Sequence, residues 1–158
     1  MTDEERPWYD DVVLPALLRH ARTTYGTVMR RALTEAGFDD IPANGLYVIG
    51  GLALDREVPM SALIQELRIS KQAAGQLVDA LVLRGYLDRA VDPEDRRRLT
   101  VTLTERGRAA AQVQAAAREG VDRELLDAVG ADAVGSTRRA LAVLCDIGRQ
   151  RTEAAAAG

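Results

Sequence analysis

The chain has 158 residues, 47% of them hydrophobic and 28% charged, with a formal net charge of −3. This suits one domain, or one compact unit with an appended arm, and the apolar share excludes a disordered chain. The lone cysteine, Cys145, excludes an intrachain disulfide and fits a reducing compartment.

The acidic start, MTDEERPWYDD, lacks the basic flank and apolar run of a secretory signal. No apolar stretch approaches the ~20 residues that span a bilayer. The expectation is a cytoplasmic protein with no membrane partner. Charge is unevenly spread, however: Ser70 to Arg108 holds eight Lys/Arg against six Asp/Glu, so this stretch is +2 and the remainder −5. A basic working surface on an acidic body fits a nucleic-acid partner better than the net charge does.

In chain order, Trp8 to Val13 reads as a short turn or arm. Pro15 opens a first helix, where its missing N–H is no loss. Leu14, Leu17, Leu18, Ala21, Tyr25, Val28 and Ala32 recur along it at helical steps, and Gly37 ends it. Pro42 begins a second helix through Leu46, Val48, Ile49 and Leu52, and its Gly50-Gly51 pair implies close helix packing. Pro59 opens a third, with Leu63, Ile64 and Leu67 inward.

Ser70 is an N-cap residue for a fourth helix. Ala74, Leu77, Val78 and Leu81 form its buried stripe, and Gly85 terminates it. Leu87 to Val91 is extended, Asp92-Pro93-Glu94-Asp95 is turn chemistry, and Leu99, Val101 and Leu103 alternate with threonines as a half-buried strand. Thr104 caps a fifth helix to about Val129. Gly130 breaks it before a sixth helix carrying Val134, Leu141, Leu144 and Ile147, and Glu153 to Gly158 should fray.

The predicted fold class is therefore mainly α with a small β-hairpin wing: a winged helix-turn-helix plus a helical dimerisation region. We expect an N-terminal arm and dimerisation helix over 1–40, the DNA-binding domain over 41–104 and dimerisation helices over 105–158. The fourth helix fits a major groove. Opposite its buried stripe it offers Ser70, Lys71, Gln72, Gly75 and Gln76. Glutamine can bond adenine in two places, lysine can reach guanine or phosphate, and a glycine lets backbone approach DNA. Asp79 lies near this face and would repel phosphate, so it should point away or pair with a cation. Arg96, Arg97 and Arg98 at the wing tip suit a narrow minor groove, and Asp95 can fix one guanidinium. Arg97 is favoured for that pair and Arg96 for the groove, with the assignment among the three left open.

The run ISKQAAGQLVDALVLRGYLDRAVDPEDRRRLTVTLTERGR resembles the recognition helix, wing and linker of the MarR family of bacterial regulators. The segments RGYLDR, DPEDRRR and LTERGR carry the resemblance, which is specific from about Val58 to Arg108. It implies an obligate homodimer joined by the first and last two helices, on a pseudo-palindromic double-stranded operator. It also implies release, in many members, by a small anionic or aromatic ligand. Gly75 departs from the pattern, standing where such helices often place a DNA-contacting side chain. Peroxide-sensing relatives keep a reactive cysteine near the first helix, and this chain has none there.

Arg19, Tyr25, Tyr47 and Trp8 are candidates to line a small-molecule pocket between the dimer helices and the winged domain, or equally to serve core or interface. One histidine, His20, with one cysteine supplies no metal cluster, so no metal or other cofactor is expected. Cys145 falls on the apolar stripe of the last helix and reads as a small core residue. With no nucleophile elbow, phosphate loop or zinc-protease pair, the chain is not expected to be an enzyme; an enzyme would have to use Cys145. The other competing reading is a winged-helix module that binds protein and not DNA, which would expose aromatics where this helix exposes Lys71, Gln72 and Gln76.

Overall fold

The computed structural model of the protein describes residues 6–54, 58–67, 69–91 and 99–156. They fall into two compact units, Met1–Arg118 and Glu119–Gly158. In the first, a 3-10 turn over Trp8–Asp11 precedes α1, Leu14–Glu35, with Pro15 in its first turn as expected. Helix α2 spans Gly45–Leu54, α3 Met60–Leu67 and α4 Lys71–Leu83. The strands are β1, Val58–Pro59, β2, Leu87–Val91, and β3, Leu99–Leu103, and α5 runs over Glu105–Ala156.

Helices α1 and α4 end in the same way. Gly37 (φ 84) and Gly85 (φ 75) take the left-handed conformation that only glycine adopts freely. The next N–H then folds back onto the helix: Phe38 donates to the Leu33 carbonyl at 2.8 Å, and Tyr86 donates to the Leu81 carbonyl at 2.9 Å. These twin caps meet, with the Phe38 and Tyr86 rings 6.2 Å apart and inclined by 60°.

Two boundaries differ from the sequence reading. Helix α2 begins at Gly45, because Pro42 to Asn44 form a turn in which the Gly45 N–H donates to the Pro42 carbonyl at 2.8 Å. Pro59 does not open α3 but belongs to β1, pairing with Thr100 while Val58 pairs with Val101. A proline is tolerated on an edge strand, where its missing N–H leaves no ladder bond unmade. The sheet order is β1-β3-β2, antiparallel throughout, so the expected β2–β3 hairpin is present, in the register Leu87↔Leu103 to Val91↔Leu99. Of the α3 residues expected inward, Ile64 is half-buried; the Leu63 and Leu67 side chains lie outside the described residues.

The core of this unit gathers Leu33 from α1, Val48 and Ile49 from α2, Val78 and Leu81 from α4, Tyr86, Val101 from β3 and Ala110 from α5. Of the paired glycines of α2, Gly50 is the one closely approached: a Cβ there would stand 2.8 Å from the Gln114 amide nitrogen on α5, which donates to the Leu46 carbonyl at 2.8 Å. Thr104 caps α5, its hydroxyl accepting from the Gly107 N–H at 3.0 Å.

The second unit is the remainder of α5. Gly130 interrupts it at φ 80 and ψ 165, as its sequence position predicted. Glu153 to Ala156, expected to fray, are helical. No described side chain from Glu119 onward is buried, and Leu125, Leu126, Val129, Leu141, Leu144 and Ile147 are exposed. Among the described residues, no helix is long and apolar enough to cross a membrane.

Candidate nucleic-acid interface

Helix α4 has the two faces its sequence calls for. Ala74, Val78 and Leu81 are wholly buried and Leu77 is half-buried. Lys71, Gln72 and Gln76 are exposed on the other side. The Ser70 hydroxyl accepts from the Ala73 N–H at 3.1 Å, so Ser70 is the N-cap, and its O–H proton remains available to an outside acceptor. The uncompensated N–H groups of this first turn favour an anion, and Lys71 stands beside them. A Cβ on Gly75 would meet nothing within 4 Å, so no protein packing demands the glycine there.

Asp79, the acidic residue on this helix, is neutralised from the wing: Arg89 on β2 donates to its carboxylate at 2.6 Å. Sequence reasoning required a cation for Asp79 without identifying it. The pair ties α4 to β2, so the helix and the wing are held together at the surface. The wing tip itself, with Asp95, Arg96, Arg97 and Arg98, lies outside the described residues.

A second polar node, not foreseen from the sequence, surrounds Tyr86. The Tyr86 hydroxyl donates to the Asp40 carboxylate in the loop between α1 and α2. Arg106, in the first turn of α5, donates to Asp40 at 3.0 Å and to the Tyr86 oxygen at 3.0 Å, with its guanidinium 4.6 Å from the centre of the Tyr86 ring. The Tyr86 hydrogen bond, aided by Arg106, holds the Asp40 carboxyl below its ordinary range. Burial, and then the Asp40 hydrogen bond, push the Tyr86 phenol up. Motif reading could not find this node, because its members lie 46 and 20 positions from Tyr86.

The pocket candidates are not brought together. Tyr47 lines an open groove of about 650 Å³ between α1 and α2, with Arg30 and Asn44, and Arg22 stacks 4.4 Å from its ring centre. Arg19, exposed, and Tyr25, half-buried, do not line it; Trp8 is exposed on the N-terminal arm. A second cleft of about 740 Å³ lies between the end of α2, the wing strands and α5. Its wall is apolar at Leu52, Leu103 and Ala111 and polar at Asp88, Thr102 and Arg108. Cys145 is exposed and not a core residue of the chain, because no other element of its unit covers that face. Its exposure leaves the enzyme reading to chemistry, and among the described residues no hydrogen-bond partner or metal-binding group surrounds the thiol.

A capped helix with a buried and a polar face, followed by a hairpin wing, makes this a winged helix-turn-helix protein. Residues 40–98 match the MarR family model. Among solved structures, the chain resembles a mutant MarR from E. coli complexed with operator DNA (21% identity, 88% of this chain and 99% of that one, TM-score 0.68). It also resembles Streptococcus pneumoniae FabT in complex with DNA (18%, 87% and 96%, 0.74) and a further MarR structure (19%, 90% and 96%, 0.75). No curated protein matches the sequence.

Proposed function

We propose that the protein is a homodimeric transcriptional regulator, cytoplasmic and not an enzyme, that binds a pseudo-palindromic double-stranded operator. It represses by occupying a promoter and is released by a small ligand. The observation that carries the reading is the outer face of α4: exposed Lys71, Gln72 and Gln76, with Gly75 between them, on a helix whose other face is locked into the core. Phosphate contacts from the helix start and the wing arginines anchor the protein; the glutamines read base edges. That MarR and FabT, which share the fold, were crystallised with DNA supports the same partner here.

Dimerisation is supported by the apolar residues that the chain leaves uncovered. Leu14 and Val28 on α1 and Leu125, Val129, Leu141, Leu144 and Ile147 on α5 are exposed, more apolar side chains than a lone soluble helix shows to water. Arg19, Tyr25 and Tyr47 retain a proposed ligand role. The cleft lined by Arg108 suits a small aromatic compound equally, with an apolar wall and both a cationic and an acidic side chain, Arg108 and Asp88, in its lining. A ligand favouring a dimer with misplaced α4 helices shifts the population off DNA.

A protein-binding module is the alternative, but the exposed aromatics Trp8 and Tyr9 lie on the N-terminal arm and not on α4. Selection of duplexes from a random-sequence pool by the purified protein tests the reading. We expect a two-half-site, near-symmetric sequence, bound by a species that sediments as a dimer. Recovery of no enriched sequence, or a stable monomer at micromolar concentration, overturns it.

A further inference from the structure

We propose that Tyr86, tied to Asp40 and Arg106, is the joint that fixes the angle of the α4 recognition helix and thereby selects operators by half-site spacing. The inference rests on the DNA-binding reading and names a determinant of its specificity.

Tyr86 is wholly buried, and it follows α4 after the single residue Gly85. For filling the core, phenylalanine would serve as well; the hydroxyl is extra. That hydroxyl donates to Asp40 from the loop after α1 and accepts from Arg106 on α5. The main chain at the end of α4 is held too: the Tyr86 carbonyl accepts from the Thr104 N–H at 3.0 Å, and the Gly85 carbonyl accepts from the Thr104 hydroxyl at 2.6 Å. The exit of α4, the exit of α1 and the start of α5 therefore converge on one side chain, from three directions. The cap-to-cap contact of Phe38 with Tyr86 completes the arrangement.

The lever arm shows why stiffness here matters. From Tyr86 back to Gln72 the helix rise of about 1.5 Å per residue gives a reach of about 20 Å. A tilt of about 5° at the joint moves Gln72 by about 1.8 Å, using that same reach. In a two-fold dimer both helices tilt, and the combined shift of about 3.5 Å matches one base step of about 3.4 Å. A few degrees of play at Tyr86 would thus blur spacing by one base pair, although no residue of the joint lies on the outer face of α4.

The test uses the full-length protein and the duplex it selects. Affinities are measured for that duplex, for duplexes with the half-sites one base pair closer or further apart, and for a single half-site. Tyr86→Phe keeps the ring and removes only the hydroxyl. Asp40→Asn, at a partly exposed loop position, is a second variant that leaves the core intact. We expect each to reduce the preference for the selected spacing by about threefold to tenfold, the size of one hydrogen bond's net contribution. Single half-site affinity should be unchanged. An unchanged spacing profile, or an equal loss on every duplex, overturns the joint while leaving the DNA reading standing. A wild-type protein that selects no two-half-site duplex overturns the DNA reading and the joint with it.

Discussion

Replacing Gly107 by alanine puts the packing of α5 against the α4 exit to a direct test. A Cβ at this position would lie 2.1 Å from the Tyr86 carbonyl oxygen and 3.0 Å from a Leu103 methyl. A carbon and an oxygen sit comfortably at about 3.3 Å, so α5 would have to retreat by about 1 Å. No rotamer change relieves this, because the obstacle is backbone. The same retreat stretches the Thr104 N–H bond to Tyr86 O, now 3.0 Å, and the Thr104 hydroxyl bond to the Gly85 carbonyl, now 2.6 Å. Overpacking costs about 1–3 kcal/mol and each strained hydrogen bond about 1 kcal/mol. The helix-propensity gain of alanine offsets about 1 kcal/mol, leaving a net loss of about 3 kcal/mol. For a protein of this size that lowers the melting temperature by about 6–12 °C. Thermal denaturation followed by circular dichroism, at one fixed protomer concentration, measures it. Gly75→Ala is the control: its Cβ meets nothing, so it should melt unchanged or slightly higher. A Gly107→Ala protein melting within about 2 °C of the parent would refute the packing argument, given the ~2–4 °C that each kcal/mol is worth.

Three further outcomes are expected. Ser70→Ala removes the acceptor of the Ala73 N–H and should cost about 1 kcal/mol in chemical denaturation; no loss would show that the cap is idle. The folded-state pKa of Asp40 is depressed, so its contribution is present above the unfolded value of about 4 and is lost as pH falls below it. The stability gap between the parent and Asp40→Asn should therefore narrow on acidification, and a gap constant from pH 7 to pH 3 counts against the ion-paired node. Arg96→Ala should weaken binding to all DNA sequences and lower the salt slope by about one per protomer; an unchanged slope would remove the wing tip from the interface.

What the sequence disclosed about this fold is what local physics encodes. Ser70 before an apolar stripe, Gly85 after it, Gly130 within α5 and the alternation of Leu99 to Leu103 are cap, turn and period signals. Each lies where the structure has the corresponding feature. The two-residue β1 had no period to show, and Pro42 and Pro59 each suit a turn or strand as well as a helix start. The Asp40–Tyr86–Arg106 node depends on the meeting of three helix ends, which no spacing within the chain announces. Cys145 was misplaced because an apolar stripe says that a face is to be covered without saying by what. On the outer face of α4, Lys71, Gln72 and Gln76 are outward as their spacing required, and the need of Asp79 for a cation was legible while Arg89 was not.

The central claim is that α4 reads bases and does not merely hold phosphates, and Gln72→Ala tests it most directly. Gln72 is exposed in the first turn of α4, and alanine is the better helix former, so the fold should be undisturbed. Fluorescence anisotropy at one salt concentration gives the affinity of parent and variant for the selected duplex and for random DNA. The account predicts a loss of about 1–3 kcal/mol on the selected duplex, traced to two symmetry-related base pairs, with random-sequence binding nearly unchanged. An equal loss on both DNAs would contradict it.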